Sequence, residues 1–232
     1  DDKVATLIVD QWRGFSPLVR AQATETLLSR SSWISTFLKA VEDDNIARGD
    51  VSPSRIELLR RHPSAAIAKR TAQLFGTSSG GGKRADIVAS YQPALDLDGD
   101  LARGKAVFKK VCSACHRLED VGTAVGADLK AVRNRGLSAV LLNVLDPNRE
   151  VKPKFLAYVV VLTNGKSVTG MIEKETANSL TIRKPDGTQA EIRRSDIDEL
   201  SSTGLSFMPE GLEKQIDKQA MADLLIYLDS IR

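Results

Sequence analysis

The sequence has little cysteine, little histidine and few aromatics. Among 232 residues there are two Cys and two His, and 5% are Phe, Trp or Tyr. A structural zinc site needs four ligands of the Cys and His type, so these residues are barely enough for one. With so few rings, the core falls to aliphatic side chains. Charge of one sign is also missing: 33 basic residues face 30 acidic ones, a net +3. That balance gives no argument for nucleic acid or an anionic membrane as partner. No apolar run approaches the ~20 residues of a transmembrane helix. No signal-peptide pattern opens the chain, and Asp1-Asp2-Lys3 reads as a mature end or a cut boundary. What remains is an ordinary globular composition, 42% hydrophobic and 27% charged, with room for one large domain or two smaller ones.

Both cysteines fall in one pentapeptide, Cys112-Ser113-Ala114-Cys115-His116. Cys-x-x-Cys-His is the attachment signature of a c-type haem. Two thiols on one tight turn can each add to a vinyl group of the same porphyrin. The next residue, His116, is then held where its imidazole can bind iron. Two other readings use the same residues. A redox dithiol wants a strand before the motif and a helix starting at the first Cys, whereas here the apolar periodicity places a helix before it. Half a zinc site would need His62 and His116 as partners, and His116 directly after Cys115 is badly placed for a tetrahedron.

An iron held by one histidine has a second face. Met171 falls in a β-like run and Met221 in an amphipathic helical pattern, which makes both core filler. Met208 sits in Ser206-Phe207-Met208-Pro209-Glu210-Gly211, a loop bounded by Pro and Gly ahead of the last helix. A thioether there can serve as the distal ligand, and His/Met ligation suits electron transfer.

In chain order, residues 3–76 read as helices only. Val4, Leu7, Ile8 and Trp12 make one face; Ser16-Pro17 starts a helix with Val19, Ala23 and Leu27 inward. Ser31 or Ser32 caps the next, with Trp33, Ile34, Phe37, Leu38 and Val41 on one stripe. Ser52-Pro53 repeats the Ser-Pro start with Ile56 and Leu59 inward, and Ala68, Ala72 and Phe75 follow a break at His62-Pro63. Short paired helices with repeated cap-Pro starts point to a HEAT- or armadillo-like array over residues 1–76, a scaffold or docking surface. His62 before proline reads as a surface or capping residue. Residues 77–99 read as a Ser/Gly-rich linker and a lead-in helix from about Asp86 to Ala94.

Asp100 caps a helix with Gly104, Val107, Phe108 and Val111 on one face, closed by the Cys pair. A loop covers Gly122 to Leu129, and an apolar helix runs from Leu137 to Leu145 before Asp146-Pro147. The last helix starts at Asp217 with Met221, Leu224, Leu225, Leu228 and Ile231 inward. Between them, Phe155–Leu162 is followed by Thr163-Asn164-Gly165-Lys166, the strongest short hairpin signal. Ser167–Glu173, Ser179–Arg183 and Gln189–Arg193 continue as short strands. This predicts a four- or five-stranded antiparallel meander or small barrel, inserted at about residues 155–200. The expected fold is mainly α, α+β overall.

From about residue 85 onward the chain resembles the haem-binding cytochrome c domain known from planctomycetes and verrucomicrobia. The matching stretches are Gly99-Asp100-x-x-Arg103-Gly104-x-x-x-Phe108, Cys112-x-x-Cys115-His116, Asp146-Pro147-Asn148-Arg149, Thr163-Asn164-Gly165 with Thr169-Gly170, and Ser206-Phe207-Met208-Pro209-Glu210-Gly211-Leu212. The resemblance implies one covalent haem c in residues 100–232 and a class I cytochrome c arrangement in which the motif helix crosses the last helix at a glycine. It also implies a periplasmic or other extracytoplasmic location, and redox partners or a fused dehydrogenase module. Where such domains usually have Gly-Pro-Asp-Leu after the motif, this chain has Gly126-Ala127-Asp128-Leu129. The carbonyl that would accept from the His116 Nδ1–H is kept, on a less stiff loop. Arg133, Arg135 and Lys152 are candidates for pairing with haem propionates. Two other functions stay open: a five-coordinate haem that senses or reacts with a small molecule, and a haem-free interaction module with a thiol switch.

Overall fold

The computed structural model describes residues 2–76, 81–130, 135–149 and 151–230. Its first part is helical: α1 (Lys3–Asp10), α2 (Pro17–Leu28), α3 (Ser31–Glu42), α4 (Pro53–Arg60) and α5 (Ala65–Phe75). The Ser-Pro signal works as expected at α2, where the Ser16 hydroxyl accepts from Val19 N–H at 3.3 Å and Pro17 takes the first helical position. The serine cap expected at α3 is not made. Arg30 occupies the cap position, and the Ser32 hydroxyl instead donates to Asp2 Oδ1 at 2.9 Å.

One apolar cluster fills this part, with Trp12, Leu27, Phe37, Leu38, Val41, Ile46 and Leu59 fully enclosed. The α3 stripe points inward as read. Two other faces are rotated. In α1 the inward residue is Ala5, while Val4 and Leu7 are 43% and 63% exposed. Trp12 sets that rotation, because it lies in a separate 3-10 turn, donates its indole N–H to Asp50 at 3.0 Å, and meets the Phe37 ring edge-on at 6.4 Å. In α5 the buried set is Ile67, Thr71 and Leu74, one residue earlier than the alanine stripe. Ile and Leu bury more apolar area than Ala, and the Thr71 hydroxyl is satisfied by the Ile67 carbonyl at 2.8 Å.

The second helical group is α6 (Gly81–Tyr91), α7 (Leu101–Val107), α8 (Leu137–Leu145) and α9 (Lys218–Ser230). The lead-in helix thus begins at Gly81, ahead of Asp86. Asp100 and Asp217 cap α7 and α9, accepting from Arg103 N–H and Ala220 N–H, each at 2.8 Å. The two helices cross at Gly104, where an added Cβ would stand 2.7 Å from Tyr227 Cβ and run into the Asp223 backbone. Only glycine permits that approach. Phe108 is fully buried beside it, its ring 5.8 Å from that of Tyr227. Arg103 clamps the crossing, donating to both carboxylate oxygens of Asp223 at 2.7 and 2.8 Å.

Between α8 and α9 lies a five-stranded antiparallel sheet, β1 (Leu156–Leu162), β2 (Ser167–Glu175), β3 (Ser179–Arg183), β4 (Gln189–Arg193) and β5 (Ile197–Ser206), in the order β4-β3-β2-β1-β5. Gly165 and Gly187 turn the hairpins at φ +79° and +81°. β5 extends past the expected end near residue 200. Its Ser-Ser-Thr-Gly composition is poor for a strand, and pairing with β1 carries it to Leu156↔Ser206 through a bulge after Ser202, where Gly204 stands at φ +70°. β5 also carries the contact to the first helical group. Gly49, in a 3-10 turn (Arg48–Asp50), packs on the Ser202–Gly204 backbone. Arg20 donates to Asp50 at 3.2 Å and to the Leu200 carbonyl at 3.4 Å. Among the described residues no helix is long and apolar enough to cross a membrane.

Candidate haem-attachment site

The motif does not follow α7 directly. A π turn over Phe108–Cys112 comes between them, closed by Ser113 N–H to the Phe108 carbonyl at 3.0 Å. Such a turn inserts one residue into the helical repeat and re-aims the side chains beyond it. Cys112 to His116 then form one tight turn: the Cys112 carbonyl accepts from Cys115 N–H at 3.1 Å and His116 N–H at 2.8 Å.

The loop after the motif is laced back onto that turn. Thr123 N–H reaches the Ser113 carbonyl at 3.0 Å, and its hydroxyl reaches Ala114 O at 2.5 Å. Val125 N–H and Gly126 N–H both donate to Cys115 O, at 3.0 and 2.6 Å. Gly122, at φ +93°, lies against the His116 carbonyl. The backbone of the motif is therefore fixed largely by this loop, with the Ser113 hydroxyl adding a bond to the Lys109 carbonyl at 2.6 Å.

The loop also holds the imidazole. His116 Nδ1 is 2.9 Å from the Ala127 carbonyl oxygen. A carbonyl only accepts, so Nδ1 carries the proton and Nε2 keeps its lone pair. Gly126 lies flat against the ring, where an added Cβ would stand 2.5 Å from Cε1 and 2.9 Å from Nε2. Burial pulls the His116 pKa below its ordinary value, and the bond to Ala127 opposes that only in part. The ring is neutral at neutral pH, as a metal-binding imidazole must be.

Cys112 and Cys115 are free thiols, both half-buried. Burial, helped by the neighbouring Cys115, pushes Cys112 up to about 12, and burial raises Cys115 as well. A reactive dithiol is usually shifted the other way. Among the described residues no group of three or more Cys, His, Asp or Glu is arranged to hold a metal ion. His62 is elsewhere, its Nδ1 accepting from Ser64 N–H at 3.1 Å at the start of α5.

Met208 is half-buried and packs into the apolar cluster that includes Phe108, Leu118 and Leu141, against which Cys112, Val121 and Leu129 also pack. Met171 and Met221 are core residues of β2 and α9, 5% and 0% exposed. The Met208 segment is pinned by Phe207 N–H to the Phe155 carbonyl at 2.8 Å and by Met208 N–H to the Ser206 hydroxyl at 3.2 Å. Arg135 and Lys152 are exposed, and Arg133 lies outside the described residues.

A family model for cytochrome c matches residues 101–232. The chain belongs to the cytochrome c family. No curated protein matches it. Cytochrome c domains bind haem c covalently and serve electron transfer, and the residues here fit that group. Two thiols stand one turn apart, and next to them is a neutral imidazole with glycine against its face, whose Nε2 has no hydrogen-bond partner among the described residues. The match begins at Leu101, so α6 lies outside the region that defines the family. Sequence reasoning missed several of the cytochrome's supports: the π turn, the Thr123 bonds, and the role of Gly126 as space rather than as a turn. Gly122 and Gly126, four residues apart in a short loop, were the one local signal.

Proposed function

We propose that this chain is a monohaem c-type electron carrier, with Cys112 and Cys115 as thioether anchors, His116 Nε2 as proximal ligand and Met208 as distal ligand. The observation that carries this reading is His116 itself. Its Nδ1–H is committed to Ala127, Gly126 packs on its face without a side chain to displace it, and among the described residues its remaining nitrogen has no hydrogen-bond partner. Bound haem supplies a one-electron iron couple. The chain's residues do the rest. Ala127 orients the imidazole and raises its basicity, Gly126 leaves the ring its place, and the laced loop keeps both from moving. Met208, from an apolar cluster it shares with Cys112, offers a soft ligand that favours the reduced iron.

The division of labour extends this reading. Residues 1–76 form a HEAT-like helical unit that docks partners, residues 77–99 connect, and residues 100–232 form the haem unit with a class I helix crossing. The planctomycete-type motifs support a location outside the cytoplasm, with electrons received from a dehydrogenase, fused or separate. Met208→Ala tests the ligand assignment. The variant is expected to keep its haem, lose the far-red sulfur-to-iron band when oxidised, and bind CO when reduced. Spectra and potential equal to the parent's would remove Met208 from the iron. Rapid CO binding by the parent would favour the five-coordinate reading instead.

A further inference from the structure

The segment around Met208 is spanned by a single side chain. Asn148 lies in the turn after α8. Its side-chain carbonyl accepts from Ser206 N–H at 2.7 Å, and its amide donates to Glu210 Oε1 at 2.6 Å. It thus ties together the residues two before and two after Met208. Downstream, α6 holds the same arm. Arg84 donates to both oxygens of Glu213 at 2.9 and 3.0 Å and to the Leu145 carbonyl at 2.8 Å. The Tyr91 hydroxyl donates to Ile216 O at 2.6 Å. The Arg84 contacts fasten the arm's base to the buried end of α8. Asn148 does something different: it is only partly buried, fills no core space, and bridges the two sides of the loop tip.

We propose that Asn148 is a positioning residue for the distal ligand, holding the two flanks of Met208 at the separation that keeps the thioether on the iron. This rests on the assignment of Met208 as ligand. A loop closed by two bonds from one rigid amide has few ways to open. Without them, Phe207 N–H to the Phe155 carbonyl still pins the Ser206 flank, but the Glu210 flank is released, and the sulfur competes poorly with an added ligand. Two lost hydrogen bonds correspond to roughly a tenfold rise in the open fraction.

The test compares the haem-loaded full chain with Asn148→Ala, Asn148→Asp, Glu210→Gln and Met208→Ala. Asn148→Asp keeps the acceptor for Ser206 but sets a carboxylate against Glu210. Glu210→Gln keeps an acceptor for Asn148. The readouts are the far-red band, the reduction potential, CO uptake by the reduced protein, and hydrogen exchange at the Ser206 amide. In Asn148→Ala the Ser206 amide is expected to lose protection, the potential to fall, and CO uptake to rise about tenfold. Asn148→Asp is expected to be intermediate and Glu210→Gln close to the parent. If Asn148→Ala merely lowers the melting temperature, with its band, potential and CO behaviour unchanged, Asn148 is structural and the inference fails alone. If Met208→Ala keeps the parent's spectrum, the ligand assignment fails and the inference falls with it.

Discussion

Replacing Gly126 by Ala tests how the imidazole is held. The new methyl would stand 2.5 Å from His116 Cε1, 2.8 Å from Nδ1 and 2.9 Å from Nε2. Non-bonded carbon contacts settle near ~3.5–4.0 Å, so ring or loop must give way by about 1 Å. Backbone strain is not the issue, since Gly126 is not among the positive-φ glycines. The loop cannot easily retreat, because Val125 and Gly126 N–H are both bonded to Cys115 O. The ring therefore moves and lengthens its 2.9 Å bond to Ala127. Overpacking costs about 1–3 kcal/mol and the weakened hydrogen bond about 1 kcal/mol. For a chain of this size the sum corresponds to a melting temperature lower by roughly 5–15 °C. Calorimetry reads the shift, and the His116 Nδ1–H resonance reads the bond. Gly14→Ala is the control, because a Cβ there meets nothing within 4 Å. A Gly126→Ala protein that melts within about 2 °C of the parent, with its Nδ1–H resonance unmoved, would refute the argument.

Other outcomes rest on the same geometry. Ala127→Pro keeps the carbonyl that orients His116 and stiffens the loop; a gain of about 0.4–1 kcal/mol in unfolding free energy is expected, and a loss would mean the backbone there does not suit proline. Gly104→Val drives a branched side chain into the Asp223 backbone and Tyr227 Cβ, and denaturant titration is expected to show a loss of about 3 kcal/mol or more. Asp223 is held down at about 2, against 3.8 for a free carboxyl, chiefly by its bonds to Arg103. A depressed carboxyl stabilises the fold above its unfolded pKa and loses that contribution as pH falls through its folded one. The contribution is about 2–3 kcal/mol, expected to fade between pH 4 and 2. Asp223→Asn should lack it at pH 7, and the gap to the parent should close near pH 2; a gap that persisted unchanged at pH 2 would contradict this.

Much of the site was legible because its chemistry needs fixed spacing. Cys112, Cys115 and His116 are adjacent in sequence, and one turn suffices to bring them together. The two faces of the helix crossing were legible for a similar reason, with Gly104 and Phe108 one turn apart along one face and the apolar residues of α9 repeating along the other; the crossing itself came from the family resemblance. Misreadings came where neighbours decide the outcome. Val4 and Leu7 form a good apolar face, yet Trp12 bonds to Asp50 and turns α1 the other way. Ser201 to Ser206 carry no strand signal, and only the β1 partner makes them one. Asn148, Arg84 and Tyr91 reach the Met208 arm across 58 to 129 residues, a separation no local pattern encodes.

The course of β5 also bears on which length changes the chain could tolerate. The strand meets the helical unit at Leu200 and Ser202 and ends at Ser206, two residues before Met208. Extra residues at the Asn164-Gly165 tip would bulge into solvent and change neither end. The stretch from Leu200 to Ser206 already bulges, with Ser202 opposite Tyr158 but Ser206 opposite Leu156 and Gly204 at φ +70°; one further residue there would shift the register in which β5 hands the chain on to Met208, while leaving every motif in the sequence intact. Homologues should therefore vary freely in hairpin length and hardly at all in the count from Leu200 to Met208.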